Sequence, residues 1–337
     1  MTITEKRDLV KRSAYIPKWL TMGVLLACAL QSAEPLKSAG LLWKEPTDLE
    51  SRNLLYGSGG RNDIPPAGPF QFVKEDMNGT NPKFTVRDSA GVKWKVKLGA
   101  EARPETVATR FVWAAGYFTD EDYFVPQADL NEVPFGSLHR LRGVIKSDSV
   151  VYNARFERER KGEKDVNWSW KHSTFSGTRE LNGLRTLMAV LNNWDLKDEN
   201  NSVYKDHDEE IYEISDLGAT FGTTHIVLGH GNSRGNLRAY ERSRFITHKS
   251  AERVDFACPG TPTWFFIFNP KQFFMRTGLE SLGRHVPRAD AKWMGTILAR
   301  LSPEQIRDAF RAAGYPSDDV ERFARVVETR IAALNAL

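Results

Sequence analysis

The sequence predicts an α+β fold, with strands dominating the earlier part of the chain and helices the end. Three observations predict it. Residues 70–98 alternate apolar and polar side chains between turn residues, as half-buried strands do. From Ser302 onward, apolar residues recur at three- and four-residue spacing, the pattern of helices with one buried face. Between these regions, a helix, a charged loop and a short strand follow one another across residues 181–218. At 337 residues the chain has room for one large or two medium domains, and 41% hydrophobic and 27% charged residues suit a soluble globular core.

The formal net charge of +4 says little about partners. Residues 1–27 carry Lys6, Arg7, Lys11, Arg12 and Lys18 against Glu5 and Asp8, a balance of +3, so the rest of the chain carries only +1. That remainder gives no basic footprint for nucleic acid. The N-terminus reads as a targeting segment: a basic region ending at Lys18 precedes residues 19–30, an apolar run of twelve that is short for a membrane span and suited to a secretory leader. Leu25, Leu26, Ala27 and Cys28 resemble the lipobox of bacterial lipoproteins, which implies a lipidated Cys28 at the mature N-terminus. Ordinary cleavage near Ala27-Cys28-Ala29 and an uncleaved anchor are the other readings. Residues 1–28 are thus expected to direct export to the cell envelope, with membrane attachment through a lipid or signal anchor. With Cys28 lipidated or removed, Cys258 has no partner, so no disulfide framework is expected; beside Phe256 and Pro259 it reads as core filling.

Residues 29–66 mix Ser, Gly, Pro and charge without a sustained period, as a linker does. The Gly-rich stretch at 56–61 lacks the flanking strands of a phosphate-cradling loop and reads as part of that linker. Strands are predicted at 70–73, 84–86 and 92–98, the first two joined across Asn78-Gly79 and the last two across Ser89-Ala90-Gly91. In the third strand Lys93, Lys95 and Lys97 share one face and Val92, Trp94, Val96 and Leu98 the other. A helix follows, with Pro104 in its first turn, Val107 and Phe111 on one face and Gly116 as its stop. Residues 123–125 and 150–156 read as further strands. The polar segment 158–170 reads as a crossing to the helical part, with Trp168 and Trp170 either beside a ligand or packed in the core.

Leu181, Leu184, Leu187, Met188 and Leu191 trace a helix that ends at Asn192-Asn193, so Asp195 falls on the loop just beyond it. Residues 211–214 form a strand with Asp216 at its exit. Two carboxylates and two carboxamides therefore gather around one hairpin-like excursion, an oxygen-rich arrangement suited to a hard divalent cation and to phosphates. Asp195, Lys197 and Asn200, followed sixteen residues later by Asp216-Leu217-Gly218, resemble the catalytic loop and metal-binding Asp-x-Gly element of the protein-kinase-like fold. The resemblance is to its atypical members, among them phosphoinositide, HipA-like, CotH-like and secretory-pathway kinases. Asn193 and Trp194 stand where His and Arg usually precede the catalytic aspartate, and neither a glycine-rich loop nor an Ala-Pro-Glu element is recognisable.

The resemblance implies a two-lobed fold, with a small mainly β N-lobe at 67–165 and a mainly helical C-lobe at 166–337. It implies Asp195 as the base for an acceptor hydroxyl, Lys197 beside the transferred phosphoryl group, and Asn200 and Asp216 as magnesium ligands. A strand lysine followed by a helix glutamate is the family's nucleotide clamp; Lys97 with Glu105 is the expected pair, and Lys95 and Glu101 are the alternatives. The implied activity is ATP- and magnesium-dependent phosphoryl transfer to a protein, lipid or small-molecule hydroxyl. Adenylyl transfer or glutamate ligation on the same fold, and a non-enzymatic lipoprotein that binds a cation or partner, are the competing readings.

Beyond Gly218 the chain is rich in Gly and basic residues, Arg234, Arg238, Arg242, Arg244 and Lys249 against Glu241, which suits an acidic substrate, a phosphate or internal ion pairs. His225 and His230 have no companion set for zinc. Ser302, Pro303 and Gln305 predict a capped helix that stops at Gly314, and Val320, Phe323, Val327, Ile331 and Leu334 predict another reaching the end of the chain.

Overall fold

Alternation along the first strands closes them into a barrel. The computed structural model describes residues 40–60, 65–78, 81–160, 164–207, 209–223, 234–259, 264–268, 270 and 277–337. In chain order, β1 (Phe70–Asp76), β2 (Lys83–Arg87) and β3 (Lys93–Leu98) form a meander, and α1 (Ala102–Ala114) follows. After the short β4 (Phe118–Thr119) come β5 (Asp122–Asn131) and β6 (Val150–Arg158). The barrel order is β1-β2-β3-β6-β5; its pairs are antiparallel except for the contact between β1 and β5. Trp94 and Val96 point into the barrel with Phe84, Val86 and Phe156, each at most 1% exposed. Burying an aliphatic or phenyl side chain of this kind stabilises by roughly 1.5–3 kcal/mol, so the inward set holds the barrel closed.

A second apolar cluster is built around the helices. β7 (Lys164–Val166) precedes α2 (Arg179–Leu191), and β8 (Asn201–Asp206) and β9 (Glu209–Ile214) form a hairpin within a sheet of order β4-β9-β8-β7. Then come α3 (Leu237–Arg242), β10 (Ile246–Lys249), β11 (Arg253–Phe256), α4 (Trp264–Phe268), β12 (Val286–Pro287), α5 (Arg288–Leu298), α6 (Pro303–Ala312) and α7 (Ser317–Asn335). Ser302 and Gln305 form the reciprocal capping box that the sequence predicts, and the five apolar residues expected on α7 are all buried. No helix among the described residues is long and apolar enough to cross a membrane.

Two sequence boundaries are drawn differently by the fold. Residues 40–60, expected to run as a linker, are packed: Leu42, Leu49 and Leu54 are at most 2% exposed, and Leu41 exchanges backbone hydrogen bonds of 2.7 and 3.0 Å with Glu210 and Tyr212. The three leucines enter the core singly, so no helical or strand period announces them. The expected division between residues 165 and 166 falls inside β7, which pairs with β8, while β4 from the earlier part pairs with β9. Gly40–Leu337 forms one unit of contacts with two apolar clusters inside it. The leader with Cys28, Gly79 of the first turn, and both His225 and His230 lie outside the described residues.

Candidate active site

α1 packs against β5 and β6, and its Glu105 reaches the outer face of β3, where one of three strand lysines becomes a buried cation. Lys93, Lys95 and Lys97 all face away from the barrel core, yet only Lys97 is covered, at 2% exposure. Its Nζ donates to Glu105 Oε2 at 2.8 Å and Asp216 Oδ1 at 2.6 Å, with Glu101 Oε2 at 3.2 Å. Burial disfavours the ammonium, but Glu105, Asp216 and Glu101 outweigh it and hold the lysine proton well above its usual range. Lys95 instead pairs with Glu157 at 2.8 Å on a half-exposed side chain. Of the alternatives left open by the sequence, Lys97 is the lysine facing Glu105, while Glu101 joins the same cluster.

Sequence reading passed over Arg155. It sits on β6 directly opposite Lys97, and two cations facing each other across a strand pair repel. Glu105 resolves this, with its Oε2 3.5 Å from Arg155 Nε and 2.8 Å from Lys97 Nζ. Arg155 also holds Asp122 at 2.7 Å and Glu157 at 2.8 Å. Burial raises the Glu105 carboxyl even so, with Arg155 and Lys97 acting against that rise. An arginine between Ala154 and Phe156 in a predicted strand is the signal that was there to be read.

Asp195 is fixed by its own loop. Thr178 caps the start of α2 by accepting from Leu181 N, and Asn192 ends the helix in the left-handed conformation, at φ 57°. Asn192 accepts a hydrogen bond from Trp194 Nε1 at 3.0 Å, and Trp194 is buried. Asn193 Oδ1 accepts from Asp195 N at 3.0 Å. Asn193 and Trp194 therefore anchor the loop. The Asp195 carboxylate meets Lys197 Nζ at 2.9 and 3.2 Å, and Asn200 Nδ2 donates to the Asp195 carbonyl at 3.0 Å. Burial opposes the charge on Lys197, but Asp195 overrides it and raises that lysine.

Asp216 follows from strand register. Asn201 pairs with Ile214, and Ser215 N donates to Asn200 O at 2.9 Å, which brings Asn200 alongside the exit of β9. Asp216 adopts φ 53°, a conformation costly for a non-glycine residue and concentrated at functional sites. Burial would raise its carboxyl, but Lys97 outweighs that and holds it below the ordinary range. Its side chain remains 41% exposed. Leu217 enters the core, and Gly218 lies so close to α1 that a Cβ there would be 2.6 Å from Glu101 Cβ.

Glu101, Glu105 and Asp216 offer carboxylate oxygens within 4.8 Å of one another. Lys97 Nζ, within 3.2 Å of all three, already supplies their cation, so this trio is a poor metal cage. Asp216 and Asn200 fit a metal better: the Asn200 amide nitrogen is used on Asp195 O, which leaves its oxygen as the donor, and Asp216 is open to solvent. Hard oxygen donors that leave room for water and phosphate suit magnesium. Trp168 and Trp170 are each 3% exposed with ring centroids 5.1 Å apart, and Trp168 Nε1 donates to Glu213 O at 2.8 Å. They pack the core and offer no open face to a base.

No protein-family model matches the sequence, and no curated protein matches it. Among solved structures, the chain is similar to the Helicobacter pylori proinflammatory kinase CtkA at 11% identity and a TM-score of 0.43, over 81% of this chain and 98% of that one. It is also similar to the Golgi casein kinase at 9% identity and a TM-score of 0.30, over 97% and 93% of the two chains. The same kinase with Mn/ADP bound matches at 10% identity and a TM-score of 0.32, over 98% and 93%.

Proposed function

We propose that this chain is an ATP- and magnesium-dependent phosphotransferase with a two-lobed kinase-like fold, acting on a hydroxyl acceptor. One observation carries the reading: Lys97, from the barrel, makes a buried ion pair with Glu105 of α1 and a second with Asp216, 119 residues away in sequence. Such an assembly ties a phosphate-binding lysine, its orienting glutamate and a metal-ligand candidate into one unit. Lys97 would hold nucleotide phosphates, with Glu105 and Arg155 fixing its position. Asp216 and Asn200 would hold magnesium, which when bound neutralises charge on the phosphates. Asp195 would orient the acceptor hydroxyl and take its proton, and Lys197, 2.9 Å from that carboxylate, would face the transferred group. Export, and lipidation at Cys28, belong to the same reading and rest on the leader sequence alone.

The test separates the jobs of the two aspartates. Asp216→Asn is expected to weaken magnesium-dependent nucleotide binding as well as turnover. Asp195→Asn is expected to keep nucleotide affinity and lose roughly a hundredfold to ten-thousandfold in turnover, the range of a positioned general base. Magnesium-ATP titration and single-turnover transfer measure these quantities, with mass spectrometry of the product to tell phosphorylation from adenylylation or glutamylation. If neither substitution changes either quantity, the residue 195–200 loop is a solvated turn.

A further inference from the structure

A second concave site lies beside the catalytic loop, where the ends of three strands meet. A pocket of about 280 Å³ is lined by Arg244, just before β10, Asp255 of β11, Cys258 beyond it, and Arg284 and His285 ahead of β12. Its volume is below that of ordinary small-molecule sites, so it suits one side chain or one phosphate group rather than a nucleotide. Three basic residues face a single carboxylate. That carboxylate is already engaged: Asp255 Oδ1 accepts from His285 N at 2.6 Å, which holds His285 at φ 53°. Arg284 reaches Glu280 only at 3.9 Å, and no carboxylate among the described residues forms an ion pair with Arg244.

The pocket is fastened to the element that presents Asp195. Arg185 of α2 donates to Leu282 O at 2.6 Å and to Arg284 O at 2.8 Å, so the helix ending at the Asp195 loop also sets the pocket wall. Gly283 is pressed between Cys258 and Trp194; a Cβ there would lie 2.5 Å from Trp194 Cη2. Trp194 immediately precedes Asp195. β10, at the edge of its three-stranded sheet, pairs only with β11 among the described residues, which leaves backbone groups for an extended chain.

We propose that this pocket receives an anionic side chain, carboxylate or phosphorylated, of a polypeptide acceptor whose hydroxyl lies at Asp195. The proposal rests on the phosphotransferase reading above. Arginine forks favour both anions, and an acceptor gripped at this pocket and at Asp195 must span Trp194, as an extended peptide does.

The experiment has two arms. Inorganic phosphate is titrated against 15N-labelled protein at matched ionic strength, with the arginine side-chain resonances observed in the wild type and in Arg244→Gln. A saturable shift that disappears in the variant is expected; no shift in the wild type beyond that caused by sodium chloride overturns the site. Positional peptide libraries carrying Asp, Glu or phosphoserine at each position are then assayed with magnesium-ATP. The wild type is expected to select an anion at one position, carboxylate or phosphate according to the better substrate. Arg244→Gln is expected to lower kcat/KM for those peptides about tenfold or more while keeping nucleotide affinity. Arg284→Gln serves as the independent second variant and is expected to act in the same direction. Intact nucleotide binding with unchanged residue preference in both variants overturns this inference alone. Absence of magnesium-ATP binding in the wild type overturns the phosphotransferase reading, and the acceptor role with it.

Discussion

Replacing Lys97 with Met removes the cation from a group of three carboxylates, two of them buried, while keeping most of the side chain's volume. Breaking a buried ion pair by deleting one partner costs about 3–5 kcal/mol, because the other charge is left uncompensated. Here Arg155 stays 3.5 Å from Glu105, and Asp216 is partly open to water, so the low end, about 3 kcal/mol, applies. At about 2.1 cal/mol/K of unfolding entropy per residue, a chain of this size loses roughly 4–5 °C in Tm. Lys95→Met is the control: its pair with Glu157 involves a lysine side chain 51% exposed, and loss of such a pair costs below about 1 kcal/mol.

The pH dependence has a definite sign. Asp216, held below its ordinary 3.8 by Lys97, contributes stability above that value and loses it as pH falls through the depressed one. Lys97, held above its ordinary 10.5, contributes below that value and loses it as pH rises through the raised one. The advantage of the wild type over Lys97→Met is therefore greatest in the neutral range and shrinks toward strong acid. Scanning calorimetry across pH, with magnesium-ATP titration on the same samples, measures both effects. Equal Tm losses in the Lys95 and Lys97 variants, or an advantage that grows in acid, would refute the reasoning.

Gly218→Ala puts a methyl group against Glu101, whose Cβ and Cγ would lie 2.6 and 2.8 Å away, and overpacking of this kind costs about 1–3 kcal/mol. Thermal unfolding and nucleotide affinity are both expected to drop; an unchanged Tm means that α1 is free to move aside. Glu213 is buried beside Asp120 and Arg160, and desolvation followed by Asp120 raises its carboxyl well above the ordinary 4.5. A raised carboxyl stabilises the fold below its unfolded pKa and loses that contribution as pH rises through the folded one, so the stability of Glu213→Gln relative to the wild type is expected to increase as pH rises from about 5 to about 8. A constant difference across that range counts against a buried, proton-holding carboxyl pair.

The sequence alone determined what depends on local chemistry. The strands at 70–98, the capped helix after Ser302 and the α7 stripe follow from alternation, turn residues and caps, each written within a few neighbouring positions. The grouping of Asp195, Lys197 and Asn200 was legible for the same reason, since a loop after a helix end carries them together. Tertiary structure decided what depends on which faces meet. Lys93, Lys95 and Lys97 are equivalent in a period-two pattern, and only the docking of α1 buries the last of them against Glu105. Arg155 gained its place through the register of β3 with β6, and Leu42, Leu49 and Leu54 joined the core as single insertions without a period. The Arg244 pocket draws its lining from residues 244–285, brought together by the pairing of β11 with β10 and β12. Local propensity is a property of neighbours in the chain, whereas a buried charge is satisfied only by whatever the rest of the fold brings to it.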